Sequence, residues 1–128
     1  MRLLLDTHAL LWWTTDDKRL KDREREAIAD EDAVVWVSAA SIWEITIKAS
    51  LGRIELDKAA LRQELDRNTF LELPILWQHA EAAGSLPRHH DDPFDRMLIA
   101  QAQTEQLVLV SYGRAFRDYD VPLAPADI

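Results

Sequence analysis

Three carboxylates in this chain stand where chemistry could be built. Asp6 directly follows the apolar run Leu3–Leu5. Glu44 interrupts the greasy stretch "AASIWEITIKASLGR". Asp95 lies in "HHDDPFDRMLIAQA", His89 to Ala102, where two histidines and three aspartates crowd the start of an apolar helix. Carboxylates gathered in one place repel, and each raises the pKa of the others. A divalent cation reverses that penalty. The chain has no cysteine, so a thiolate site is excluded. An all-oxygen donor set suits Mg2+ or Mn2+. Such a cation polarises a phosphate and activates a water for in-line attack.

Each acid also has a plainer reading. Asp6 is a good helix N-cap. Glu44 has Ala40, Trp43, Ile47 and Leu51 along one side and Ile42, Ile45 and Ala49 along the other, so its helix reads as well buried. Lys48 stands at i+4 and points about 40° further round, at roughly 3.6 residues per turn. An ion pair there, worth a few tenths of a kcal/mol, explains Glu44 without function. Asp92-Pro93 is an N-cap followed by proline at the first helical position. Asp95 is different. Leu98, Ile99 and Ala102 follow it at i+3, i+4 and i+7, so it lies on the inward face of its helix. His89 and His90 read as surface residues of the preceding loop.

The elements that would position these acids alternate. Strands are expected at "RLLLD", "AVVWVS", "TFLELPI" and "LVLVS", with a last edge strand at "VPLAP". Helices are expected at "THALLWWTTDD", Lys18–Asp32, "AASIWEITIKASLGR", "KAALRQELDRN", "LWQHAEAAGSLP" and "PFDRMLIAQAQTEQ", with a short one at "GRAFRDY". Continuous apolar strands between helices point to a parallel sheet covered on both faces. In such folds ligands gather at the carboxyl ends of the strands, and Asp6 stands at one of them. The 128 residues read as one domain, without repeat, linker or low-complexity run.

The net charge of −8 argues against tight non-specific binding of nucleic acid. Asp6 and His8 break the apolar N-terminus, which is too short for a secretory leader or a membrane span. A soluble, cytoplasmic protein is expected. Trp36 and Trp43 read as core, and the charged segment Lys18–Asp32 as a solvated face.

Three motifs in order, "LLLDTHALLWW", "VSAASIWEI" and "HHDDPFDRMLIAQA", resemble those of PIN-domain ribonucleases, and of VapC-type toxins in particular. The resemblance spans essentially the whole chain. It implies an α/β fold, a three-layer α/β/α sandwich around a central, mainly parallel sheet. It implies hydrolysis of RNA phosphodiester bonds, often in tRNA or rRNA, with Mg2+ or Mn2+ as cofactor. The family's three acids fall on Asp6, Glu44 and Asp95. Asp6 and Asp95 would hold the cation, and Glu44 would hold it too or orient the attacking water. Asp92, Ser111 and Thr7 would support the site, and Arg96, Arg114 and Arg117 would meet RNA phosphates. A VapB-like antitoxin is the implied partner, contacting DNA on the toxin's behalf, and the toxin is expected to form a homodimer. Trp12 and Trp13 are candidates for lining the antitoxin groove.

One position departs from the pattern. Relatives carry a Thr/Ser-x-Asp after the fourth strand. Here Ser111 matches the hydroxyl, but Gly113 stands in place of the acid, and Asp118 and Asp120 are a helical turn or more away. A rival reading follows, a pseudo-toxin that acts only by binding its antitoxin. Other phosphoryl-transfer scaffolds fit worse. A haloacid-dehalogenase-type phosphatase needs an Asp where His8 stands, and a receiver domain needs a late lysine, whereas none follows Lys58.

Overall fold

Each unbroken run of aliphatic residues becomes a short strand. β1 (Arg2–Leu5), β2 (Val34–Ser38), β3 (Leu71–Leu73), β4 (Val108–Val110) and β5 (Leu123–Ala124) form one sheet in the order β3-β2-β1-β4-β5. Every pairing is parallel, with Leu5 opposite Val37 on one side and Val110 on the other. The structure is a computed structural model and describes residues 1–124. The helices are α1 (Thr7–Thr14), α2 (Asp22–Ala29), α3 (Ala39–Ser50), α4 (Lys58–Arg67), α5 (Trp77–Ser85) and α6 (Pro93–Glu105). A 3-10 turn covers Arg114–Asp118.

Alternate strand residues point to opposite faces of the sheet, and two cores result. Leu3, Leu5, Val35, Val37 and Val110 pack with Leu10, Ile28, Ile45 and Leu61. Leu4, Leu73 and Leu109 pack with Leu98, Ile99 and Phe116. The expected α/β/α sandwich is therefore present, with a wholly parallel sheet. Leu3, Leu4 and Leu5 are all fully inaccessible. At about 1.5–3 kcal/mol per buried side chain, they fix the strand that carries Asp6.

Several elements are shorter than the sequence suggests. The helix expected over Lys18–Asp32 forms only as α2, because Leu20 is buried in the turn before it and Arg25 donates to the Leu20 carbonyl at 3.1 Å. Gly84 lies inside α5 rather than ending it. Of the expected strand "VPLAP", Leu123 and Ala124 pair with β4, and Pro125 lies outside the described residues. Trp36 packs against the second core, but Trp43 is 60% exposed, contrary to the core expectation. The reason is its place on α3: it points across to Phe94 on α6, with ring centroids 5.3 Å apart, and is not aimed at the sheet. Trp12 is already held between His8 and Tyr112, and Trp13 against Phe70. Among the described residues no helix is long and apolar enough to cross a membrane.

The strand order matters for function. The chain steps from β1 outward to β2 and β3, then returns to lay β4 on the other side of β1. The crevice at such a reversal, beyond the carboxyl ends of β1 and β4, is where ligands bind in open α/β sheets.

Candidate active site

Asp6 is the first residue after β1, and its backbone N–H donates to the Val110 carbonyl of β4 at 3.1 Å. It is the N-cap of α1, accepting from the Ala9 N–H at 2.7 Å. Capping and a site role therefore coincide: the cap fixes the side chain at the crevice. The Ser111 hydroxyl, just beyond β4, lies beside the Asp6 carboxylate and acts to lower its pKa. Asp6 is buried, and burial pushes its carboxyl above the usual range, with the Glu44 charge adding to the rise. His8, exposed on the first turn of α1, acts in the opposite sense.

Glu44 arrives on α3, which Ser38 caps at the end of β2. Its Oε1 accepts from the Thr7 hydroxyl at 2.6 Å, and its Oε2 meets the Lys48 ammonium at 2.9 Å. The ion pair considered from the sequence exists, and it orients Glu44 beside Thr7. The Ser41 hydroxyl lies 3.3 Å from the Thr7 oxygen and is the donor of that pair, because the one Thr7 hydrogen goes to Glu44. Ser41 was not among the expected site residues, although its place one helical turn before Glu44 was the available signal.

Asp95 sits in the first turn of α6. Asp92 caps that helix, accepting from the N–H groups of Phe94 at 2.9 Å and Asp95 at 3.0 Å. Asp92 is exposed and caps α6. Asp95 is half-buried. Desolvation, then the Asp92 charge, pushes its carboxyl up to about 6, with a smaller contribution from Glu44. His90 touches it, Nε2 to Oδ2 at 3.3 Å. His90 is half-buried against Tyr119 and is not the free surface residue expected from the sequence. His89 is exposed, with its ring edge-on to Tyr119.

The three acids are thus within electrostatic reach, with the Glu44 charge acting on both Asp6 and Asp95. They stop short of a ready-made cage: among the described residues no three acidic or imidazole groups close around a cation position. The donor chemistry still fits a hard cation. Mg2+ keeps several of its waters and takes only one or two carboxylates from the protein. The carboxyls of Asp6 and Asp95 are raised first by loss of water and then by neighbouring negative charge, and a bound cation would oppose both effects.

Two expectations change. Arg96 is buried at 6% exposure, and its guanidinium donates to the carbonyls of Pro87, Ala83 and Leu86. These bonds tie the guanidinium to the main chain at and just beyond the end of α5, so Arg96 does not present itself to an RNA phosphate. It follows Asp95 in sequence, but about 100° per residue turns it to another side of α6. Arg114 and Arg117 are exposed on the 3-10 turn. At Gly113 a Cβ would lie 2.8 Å and 2.9 Å from ring atoms of buried Phe116. Its φ of −68° would suit any residue, so it is the Phe116 ring, packed where a side chain would begin, that makes glycine fit.

The PIN-domain family profile matches residues 3–122. The chain belongs to the PIN-domain family. Within that family it is similar to "Ribonuclease VapC22" from Mycobacterium tuberculosis, 31% identical over 94% of this chain and 93% of the relative. Its fold matches the structure titled as VapBC2 from Rickettsia felis bound to a promoter DNA fragment. There the TM-score is 0.71 at 16% identity, over 96% of this chain and 97% of that one. VapBC-1 from nontypeable Haemophilus influenzae gives 0.68 at 19% identity over 96% of both chains. The VapC-type resemblance read from the three motifs therefore holds.

A pH dependence follows from this PIN-domain crevice. Asp95 titrates near 3.8 when unfolded and at about 6 when folded, so the native state holds its proton more firmly. That contribution to stability is complete below about pH 4 and is lost as pH rises through about 6. In metal-free protein, the melting temperature of the wild type minus that of Asp95→Asn is expected to fall between pH 4 and pH 7. Adding Mn2+ at pH 7.5 should reverse the fall. A difference flat with pH would show that Asp95 carries no such penalty.

Proposed function

We propose that this chain is the toxin of a VapBC-type pair and a divalent-metal-dependent endoribonuclease that hydrolyses RNA phosphodiester bonds, in tRNA or rRNA. The observation that carries the reading is the crevice itself. Asp6 and Asp95 are both pushed toward protonation and both feel Glu44, and Asp6 follows β1, the strand beside which the sheet order reverses. The similarity to a relative named a ribonuclease supports the reaction class.

Asp6 and Asp95 would hold the Mg2+ or Mn2+, directly or through water. When bound, the ion supplies a polarised phosphate oxygen and a more acidic attacking water. The chain's own residues do the rest. The Ala9 N–H holds the Asp6 carboxylate through Oδ1, and the Ser111 hydroxyl lies beside it. Thr7 and Lys48 each take one lone pair on the two Glu44 oxygens, and a carboxylate has about four such sites. Glu44 therefore keeps acceptor capacity to orient the attacking water. Arg114 and Arg117 are exposed and free to contact phosphates.

The partner is a VapB-like antitoxin, as in the VapBC structures that share this fold. The net charge of −8 suits a cationic antitoxin tail entering the acidic crevice. DNA contact would come through the antitoxin, the toxin would be a cytoplasmic homodimer, and residues 1–128 would act as one domain. The test is cleavage of end-labelled tRNA and rRNA by the purified chain. Fragments are expected with Mn2+ or Mg2+, none with EDTA, and fewer when antitoxin is added. No cleavage of either RNA with metal present would overturn the reading.

One observation favours a second reading, an antitoxin-binding pseudo-toxin. The Phe116 ring fills the space in which a fourth acid would begin. Antitoxin binding without measurable Mn2+ binding would select it.

A further inference from the structure

Tyr119 and His90 stand 29 positions apart, yet a continuous hydrogen-bond chain runs through them into the crevice. Arg96 Nη1 lies 3.3 Å from the Tyr119 hydroxyl, that hydroxyl lies 2.8 Å from His90 Nδ1, and His90 Nε2 lies 3.3 Å from Asp95 Oδ2. The His90 backbone N–H also points at the Tyr119 oxygen, at 3.4 Å.

The donor inventory fixes the direction of this chain. A tyrosine hydroxyl has one hydrogen to give and two lone pairs. Arginine only donates, and so does a backbone N–H, so both lone pairs of Tyr119 are taken. Its one hydrogen is left for His90 Nδ1. The imidazole hydrogen must then sit on Nε2, which donates to Asp95. Arg96 cannot reverse the pattern, because a guanidinium has no acceptor. Three of its four remaining donors are tied to main-chain carbonyls, so the chain starts from a fixed point.

We propose that His90, set in one tautomer by Tyr119 and Arg96, is the positioning residue that orients Asp95 for cation binding. It fixes which Asp95 oxygen is occupied from behind and which is left for the ion. The proposal rests on Asp95 being a metal-holding residue of the nuclease reading, and its test is built so that the two can fail separately.

Three variants test it: His90→Ala, His90→Gln and Tyr119→Phe. Glutamine keeps the polarity, since its amide nitrogen donates to Asp95 and its oxygen accepts from Tyr119. Mn2+ affinity is measured by loss of the free-ion paramagnetic resonance signal, and RNA cleavage by kcat and KM, with thermal melts as a control for folding. Loss of a partner behind a metal ligand typically costs 10–100-fold in affinity or activity. His90→Ala is therefore expected to weaken Mn2+ binding and kcat by about that factor, with KM for RNA little changed. His90→Gln should recover most of both, and Tyr119→Phe should fall between. Wild-type Mn2+ affinity in His90→Ala overturns the proposal, and so does a His90→Gln variant as weak as His90→Ala. A wild type that binds no Mn2+ overturns it as well. A wild type that binds Mn2+ but cleaves no RNA refutes the nuclease reading alone, and the variants' Mn2+ affinities still decide the role of His90.

Discussion

Asp6→Asn is expected to lower metal-dependent RNA cleavage by at least about 100-fold, while raising the melting temperature of the metal-free protein by a few degrees at pH 7. The two effects have one cause. Asp6 is buried, and its carboxyl is pushed up mainly by loss of water. Keeping it ionised at neutral pH therefore destabilises the folded state, and this cost is absent below the unfolded pKa and complete once pH exceeds the folded one. Asparagine removes the charge and keeps the local structure. Its Oδ1 still accepts from the Ala9 N–H, so α1 stays capped. Its amide hydrogen can reach the Ser111 oxygen, which already accepts from the Gly113 N–H and has a second lone pair. What asparagine cannot supply is the anionic oxygen for a hard cation. Labelled-RNA cleavage and calorimetry on the same preparation check both halves. Undiminished cleavage would remove Asp6 from the site. A lower melting temperature would mean that Asp6 stabilises through hydrogen bonding more than burial destabilises it.

How much of this was legible in the sequence depends on the range of the interaction. Asp6 could be placed because three leucines before it must be buried and the next residue is then forced to the rim. Asp95 could be placed because helical spacing aligns it with Leu98, Ile99 and Ala102, and the structure half-buries it beside them. Glu44 looked ambiguous because two readings competed, and the structure realises both, with Lys48 on one oxygen and Thr7 on the other. The parts that were not legible depend on pairs far apart in the chain. Nothing near His90 announces Tyr119, and nothing near Arg96 announces the carbonyls at the end of α5. Gly113 read as a missing acid. That the space is filled by Phe116, three residues on, depends on a 3-10 turn bringing the ring back over the backbone. Trp43 was misjudged for a related reason: Ile42 and Ile45 give α3 its contact with the first core, while the Trp43 ring packs on Phe94, far away in sequence.

Arg96→Ala is expected to destabilise the fold by about 3–5 kcal/mol, a large share of the 5–15 kcal/mol that holds a typical domain together. The last carbonyls of a helix have no partner within it. In α5 the Ala83 carbonyl receives Arg96 Nη2 at 3.0 Å, and just beyond the helix end the Leu86 and Pro87 carbonyls receive Nη2 and Nη1 at 3.1 Å and 2.9 Å. A cation at a helix C-terminus is also favoured by the dipole. Alanine leaves these carbonyls without that donor, at about 1–3 kcal/mol for each one that stays buried. Lysine restores the charge but not the planar fork, so Arg96→Lys should recover only part of the loss. An arginine contacting RNA phosphate would behave differently: removing it would leave the unfolding midpoint in place and reduce the salt dependence of RNA binding by about one unit of slope. Urea unfolding and the salt dependence of KM separate the two. A shifted midpoint with an unchanged salt slope identifies Arg96 as the anchor of the loop over residues 86–92. Because that loop carries His90, the same substitution should also loosen Asp95, so weaker Mn2+ binding should accompany the lost stability even under conditions where the variant remains folded.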